Sequence, residues 1–221
     1  MALASSSLER LMRILAIDTT SWECSVALWE DGKELTFQNK PSNRDQAADL
    51  PKIVSDVIGS YKVDQIIVNV GPGSFTGIRV GIAFAKGLAM GWGVPLRGIN
   101  GFIATYASLD PQEDILILID ARRSDIFAQR FVGGVPQPPQ GLDRKDLEKI
   151  LSTFPSPLVA GNGFSSFLEG VTYKETPSPF KGAQKLAHAY FQNPSIGTEP
   201  LPFYLREADV TSPSQSCPPS L

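Results

Sequence analysis

The segment from Ile67 to Gly91 leaves this chain few ways to fold. An apolar, β-branched run, Ile67-Val68-Asn69-Val70, meets Gly71-Pro72-Gly73. Glycine tolerates positive φ and proline fixes its own, so a strand must turn sharply here. Ser74 or Thr76 can then cap a helix. Between Thr76 and Trp92 the only charges are Arg79 and Lys86, seven residues apart and therefore on one narrow stripe; every other face is apolar or small. A helix this apolar needs cover on more than one side: its own sheet supplies one, and either a partner protein or the chain's second lobe supplies the other. Gly77, Gly81 and Ala85 fall at i, i+4 and i+8, a flat strip on which another helix can approach closely.

With 221 residues the chain can bury a sizeable core in one or two domains. Its net charge of −3 comes without a block of like charge, which argues against an independent nucleic-acid-binding surface. The two cysteines, Cys24 and Cys217, lack the CxxC spacing of zinc or redox sites and point to a reducing cytoplasm. No apolar run approaches the ~20 residues that span a bilayer. Met1 to Arg13 lacks the apolar core of a secretory signal; its Ala/Ser content leaves an organellar leader, or a short extension ahead of a start at Met12, as the readings.

Arg13 to Asp18 reads as a strand covered on both faces and ending in a carboxylate. After the hydroxyl-rich link Thr19-Thr20-Ser21-Trp22-Glu23, a strand over Cys24–Trp29 turns at Asp31-Gly32 into a third over Glu34–Gln38. Ser42-Asn43-Arg44-Asp45 fits a capping box, and Ala47, Leu50, Ile53, Val54, Val57 and Ile58 repeat at helical spacing. Pro51 opposes that helix by ~3 kcal/mol, which predicts a kink or two consecutive short helices. The strand–turn–helix segment follows, then a short extended piece after Val94-Pro95 and a helix around Phe102–Leu109, giving the order βββαβα.

Asp110-Pro111-Gln112 marks a boundary, and Ile115 to Asp120 restarts with an apolar strand that again ends in aspartate. Ile17-Asp18 followed by Cys24-Ser25-Val26 is answered by Ile119-Asp120 followed by Asp125-Ile126-Phe127, an internal repeat. The second half is shorter: Gly133–Gly141, with Pro136, Pro138 and Pro139, reads as a loop in place of a third strand. A helix capped by Asp143 covers Lys145–Leu151, Leu158–Gly163 is a last strand and turn, and Gln184–Phe191 is a last helix with Leu186, Ala187, Tyr190 and Phe191 on its apolar face. The Pro/Ser composition from Ser212 predicts a disordered tail. The division is an extension at 1–12, lobe I at 13–110, lobe II at 111–206 and a tail at 207–221.

Two such halves are similar to the actin/Hsp70/sugar-kinase (ASKHA) superfamily, an α/β fold in which ATP lies between two βββαβα-type lobes, the second reduced here. Ile14-Leu15-Ala16-Ile17-Asp18-Thr19-Thr20, the Gly71–Gly81 string, Ile119-Asp120-Ala121-Arg122 and Pro202-Phe203-Tyr204-Leu205-Arg206 closely resemble the TsaB (YeaZ) family. The resemblance implies a subunit that performs no chemistry but binds and activates the threonylcarbamoyltransferase TsaD. With the ATPase TsaE, that complex makes N6-threonylcarbamoyladenosine at position 37 of tRNAs reading codons that start with A. ATP and metal are then expected in the partner subunits, none bound firmly by this chain. The tRNA is met only through the complex, and the isolated chain is expected to self-associate as a two-fold homodimer.

The resemblance also marks what is missing. TsaD-type enzymes hold a metal with two histidines at i and i+4, and aligning Val94-Pro95 places those positions at Gly101 and Thr105, neither of which offers an imidazole. The one histidine, His188, stands without partner ligands in the last helix. In the superfamily both hairpin turns bring small residues to the phosphates; Thr19-Thr20-Ser21 fits that role, whereas Ala121-Arg122-Arg123-Ser124 has no glycine and two bulky cations. Arg122 and Arg123 either meet an anion or face solvent. Asp18 and Asp120 either hold metal-bound water, as in an active relative, or cap strand ends. Gly71–Gly77 is not a P-loop, because no Lys-Ser or Lys-Thr follows.

The partner surface expected on the first two helices comprises Leu50, Ile53, Val57, Ile78, Ile82, Ala85 and Leu88, with the small strip at Gly77 and Gly81. The competing reading is a self-sufficient ATP-dependent kinase or acyltransferase of the same fold. A metallopeptidase is disfavoured by the absent HExxH, and a free-standing RNA-binding module by the acidic balance.

Overall fold

A computed structural model of the chain describes residues 11–42, 45–109, 113–121, 125–153 and 158–206. Lobe I opens with three antiparallel strands, β1 (Arg13–Asp18), β2 (Glu23–Glu30) and β3 (Lys33–Pro41). Helix α1 (Gln46–Ile58), β4 (Gln65–Asn69), α2 (Phe75–Trp92), β5 (Leu96–Ile99) and α3 (Gly101–Ala107) follow. The sheet order is β3-β2-β1-β4-β5, with β4 and β5 parallel to β1.

Alternation along the strands divides the core in two. Leu15, Ile17, Val26, Leu28, Ile66 and Val68 point to one face, which α1 and α2 cover with Leu50, Ile53, Val57, Ile78, Ile82 and Ala85. Ile14, Ala16, Ala27, Trp29 and Ile67 point to the other. Burial on both faces is why β1 and β4 read as unbroken apolar runs.

Lobe II repeats the plan with β6 (Ile115–Asp120), β7 (Ile126–Val132), β8 (Val135–Pro136), β9 (Gln140–Leu142), α4 (Arg144–Ser152), β10 (Leu158–Asn162) and β11 (Lys174–Glu175). The repeat extends to register: Asp18 pairs with Ser25 across β1–β2, and Asp120 with Ile126 across β6–β7. The final helix, α5 (Ala183–Gln192), returns to lobe I, where Ala183, Leu186, Ala187 and Tyr190 cover the second face of its sheet. Helix α3 lies between the lobes, with Ala104 in the lobe I core and Phe102 in a lobe II cluster with Ile117, Ile119 and Phe127.

Some of these expectations need correction, and others are decided between their alternatives. The loop over Gly133–Gly141 is a third strand in two pieces, β8 and β9, both paired to β7. Pro138 and Pro139 have no N–H to donate and interrupt it, which an edge strand tolerates. Leu158–Asn162 is not the last strand, because β11 pairs with it in parallel. Of the two outcomes expected around Pro51, two consecutive helices are ruled out, because one helix runs through it. Asp45 precedes α1 without a side-chain cap bond, and Ser42 instead donates its hydroxyl to Asp49 (3.1 Å), which also takes Lys40 (2.6 Å). Asn43 and Arg44 of the expected capping box lie outside the described residues. At α2 the choice between two caps falls to Ser74, whose Oγ accepts from Gly77 N at 3.2 Å. On α5, Phe191 is exposed rather than part of the buried face, which uses Ala183 and Ala189 instead.

Candidate functional site

The strand-ending Asp18 is buried, and three neutral donors hold its carboxylate. Thr20 N (2.9 Å) and Thr20 Oγ1 (2.8 Å) meet Oδ1, and Asn69 Nδ2 (3.0 Å) meets Oδ2. Asn69 Oδ1 in turn accepts from Gly71 N at 2.9 Å, so one amide links the end of β1 to the Gly71-Pro72-Gly73 turn. Asp18 thus caps the end of its strand and the turn after it. Thr19 donates to Gly77 O (2.6 Å), and Ser74 N donates to Thr20 O (2.8 Å), fastening the expected phosphate turn to the start of α2. Asn69, a polar residue closing an apolar strand, was the overlooked signal for this network.

Across the cleft, Asp120 N donates to Asn162 Oδ1 (3.2 Å), and Asp120 Oδ2 accepts the indole N–H of Trp22 (3.3 Å). Trp22 sits on the lobe I turn, so this bond joins the two hairpins. Between them lies a cavity of about 250 Å³, lined by Thr20, Ser21, Trp22, Glu23, Ile119, Asp120, Asn162 and Gly163. Pockets for drug-sized ligands run from roughly 300 to 1,000 Å³. Arg122 and Arg123 lie outside the described residues.

A Cβ on Gly101 would come 3.3 Å from Asn69 Nδ2 and 3.5 Å from Ile119 Cδ1, a close fit against the amide that holds Asp18. Thr105 is buried, and Lys185 Nζ approaches its hydroxyl at 3.5 Å. Burial pushes the Lys185 ammonium below its ordinary pKa, against the pull of the Asp18 charge. His188 lies against Phe180 (ring centroids 4.4 Å) and edge-on to Trp29 (6.0 Å); burial lowers its pKa, and its Nδ1 has no partner. It belongs to the packing of α5.

The residues expected at the partner surface lie mostly inward. Leu50, Ile53, Val57, Ile78, Ile82 and Ala85 are at most 5% exposed against the sheet, and of the large ones only Leu88 is half-buried. Gly77 and Gly81 serve an internal approach: a Cβ at Gly77 would lie 2.0 Å from Thr19 O, and one at Gly81 2.4 Å from Thr19 Oγ1. The strip admits the chain's own β1–β2 turn, not a second helix, because a helical period cannot say which side the sheet occupies. What α1 and α2 expose includes the small residues Ala47, Ala48, Pro51, Ala83 and Gly87, the charged Lys52, Asp56, Arg79 and Lys86, and Met90, 85% exposed.

The segment 198–206 straps the lobes together. Thr198 bridges Gly98, Phe203 N donates to Val70 O (2.7 Å), and Arg206 pairs with Asp125 beside β7. Phe203 packs against the cores of both lobes. Tyr204 meets Phe75 (ring centroids 4.5 Å) and accepts from Arg79 Nε at 3.0 Å. The sequence singled out this motif but not its contact with α2.

Two lobes built on a repeated strand–carboxylate–hairpin, with a shared helix between them and a final helix that crosses back, define an actin-like fold. A family model described as TsaD, tRNA N6-adenosine threonylcarbamoyltransferase, matches residues 54–136. The chain is 37% identical over 125 residues to the tRNA threonylcarbamoyladenosine biosynthesis protein TsaB of Escherichia coli, covering 52% of this chain and 53% of that protein. It is 27% identical over 195 residues to TsaB of Bacillus subtilis, covering 85% and 78%. A solved Pseudomonas aeruginosa protein, described as uncharacterized with similarity to peptidase YEAZ, superimposes with a TM-score of 0.69 at 25% identity over 88% of this chain and 100% of that one. The chain spans about half the length of the first curated relatives it matches, 53% and 54%. In sequence and in fold it is TsaB-like.

Proposed function

We propose that this chain is a non-catalytic scaffold that docks on a TsaD-like threonylcarbamoyltransferase and activates it for N6-threonylcarbamoyladenosine formation at position 37 of tRNAs reading codons that begin with A. The observation that carries this reading is the combination of a TsaB-like sequence with a cleft whose carboxylate, Asp18, is committed to Thr20 and Asn69, and whose Gly101 and Thr105 offer no imidazole. The exposed face of α1 and α2 is the docking surface: its small residues let partner helices approach closely, and Met90, Leu88 and Phe84 offer apolar area at about 25 cal/mol per Å² before ordering costs. ATP, metal and tRNA are handled by the TsaD-like and TsaE-like partners in the cytoplasm. Without them the same face pairs two copies of this chain.

The test is co-purification with the TsaD-like and TsaE-like proteins of the same cell, then a threonylcarbamoylation assay omitting each chain in turn. Product formation that needs this chain, with no turnover by the chain alone, is the expected result; unaided modification of adenosine defeats the proposal. Ala83→Arg should abolish docking while the fold survives. Ile82→Glu and Ala85→Arg are uninformative, because residues 5% and 0% exposed would bury the new charge and unfold the chain.

A further inference from the structure

Arg79, on the exposed face of α2, is held by two other side chains of this chain. Its guanidinium carbon lies 3.7 Å from the centroid of Phe75, one turn earlier, and its Nε donates to the Tyr204 hydroxyl at 3.0 Å. Tyr204 packs against Phe75 with its ring tilted by 30° and is carried by the strap, which Phe203 N anchors to Val70 O at 2.7 Å. With Nε used, the four N–H bonds of the two Nη atoms remain, in the planar fork that matches a carboxylate. Arg79 is exposed, and no carboxylate among the described residues pairs with it. The first turn of α2 contains no acidic residue, so the positive end of an 18-residue helix also stands uncompensated beside it.

A long cationic side chain left in solvent ordinarily samples many rotamers, and binding must then pay for fixing it. Here the ring below and the hydroxyl beside it have already fixed the fork, the preorganisation found at interface hot spots rich in Arg and Tyr. We propose that Arg79, clamped by Phe75 and Tyr204, is the receptor for an aspartate or glutamate side chain of the protein that docks on α1 and α2. The proposal rests on the docking reading above and adds the chemistry of the partner at one end of that surface.

An RNA phosphate has similar oxygen geometry, but nucleic acid is gripped by several cations together. Arg79 shares the exposed stripe of α2 with one other cation, Lys86, seven residues on, and with the small residues Ala83 and Gly87, on a chain of net charge −3. One held guanidinium and one further cation beside small apolar residues fit a protein helix bearing a carboxylate, where a nucleic-acid backbone needs a larger cluster. On the same strap, two residues on, Arg206 pairs with Asp125 of lobe II.

The experiment measures the affinity of the purified TsaD-like protein of the same cell for full-length variants, by calorimetry at low and physiological salt. Arg79→Ala should weaken binding by about tenfold or more, and Arg79→Lys nearly as much, because lysine keeps the charge but loses the planar fork. Tyr204→Phe, which removes only the hydroxyl, should cost a few-fold, and serves as the probe if Arg79→Ala fails to fold by circular dichroism. Wild-type affinity in folded Arg79→Ala and Arg79→Lys, with docking still abolished by Ala83→Arg, overturns the Arg79 assignment and leaves the docking reading standing. Wild-type affinity in Ala83→Arg as well removes the docking reading itself. Unchanged protein affinity with reduced retention of tRNA by the Arg79→Ala complex assigns the residue to phosphate and overturns the proposal.

Discussion

Asn69, the last residue of β4, gives its side-chain amide to Asp18 Oδ2 at 3.0 Å and takes Gly71 N at 2.9 Å, so one buried residue closes the strand end and the turn after it. Asn69→Ala leaves a buried carboxylate oxygen and a buried N–H without these partners. Urea denaturation should show a loss of about 2–4 kcal/mol. Asn69→Asp should lose more at neutral pH, because two carboxylates then share the site, and recover part of the loss as the pH falls and one of them protonates.

The glycines of α2 should separate into two groups. At Gly77 a methyl would meet Thr19 O, a backbone atom, at 2.0 Å, and Gly77→Ala should cost on the order of 3 kcal/mol or more. At Gly81 the obstacle is the Thr19 hydroxyl, 2.4 Å away, which can rotate only by giving up its 2.6 Å bond to Gly77 O; a smaller loss is expected. Nothing lies within 4 Å of a Cβ at Gly87, so Gly87→Ala should stabilise the isolated chain by about 0.5–1 kcal/mol. Denaturation midpoints of the three variants provide the check.

His188 makes the docking of α5 sensitive to acid. Burial lowers its folded pKa below the ordinary value of 6.5, so the unfolded chain takes up the proton first as the pH falls. Its contribution to stability is intact above pH 6.5 and is lost as the pH drops from there through the folded value. His188→Phe keeps a ring against Phe180 and should flatten this part of the stability–pH profile, measured by thermal melts between pH 5 and 7.5.

Cys24 is fully buried in β2, and burial, with Asp49 and Asp18 adding to it, pushes its thiol up to about 12. In a Cys217→Ser background, iodoacetamide at pH 8 should leave the native chain unlabelled and modify it only in denaturant, as mass spectrometry would register. Rapid labelling of the native chain would mean that β2 opens locally.

Apart from the short edge strands β8, β9 and β11, the chain order of strands and helices was legible because it depends on periodicities of two and 3.6 residues and on local signals. Examples are the Gly71-Pro72-Gly73 turn, Asp143 as the cap of α4 (Asp146 N to Asp143 Oδ1, 2.8 Å) and the strand–aspartate repeat at Asp18 and Asp120. The missing imidazoles at Gly101 and Thr105 were equally plain, being matters of residue type. Contacts between distant segments decided the rest. Periodicity shows that α2 has an apolar side but not which side meets the sheet, so Ile82 and Ala85 faced inward and Ala83 outward. It shows that Gly77 and Gly81 make a flat strip but not that Thr19, 58 residues before Gly77, fills it. Tyr204 and Arg79 are 125 residues apart, and nothing along the chain between them specifies that they meet; only packing the strap onto the first lobe brings the phenol to the guanidinium.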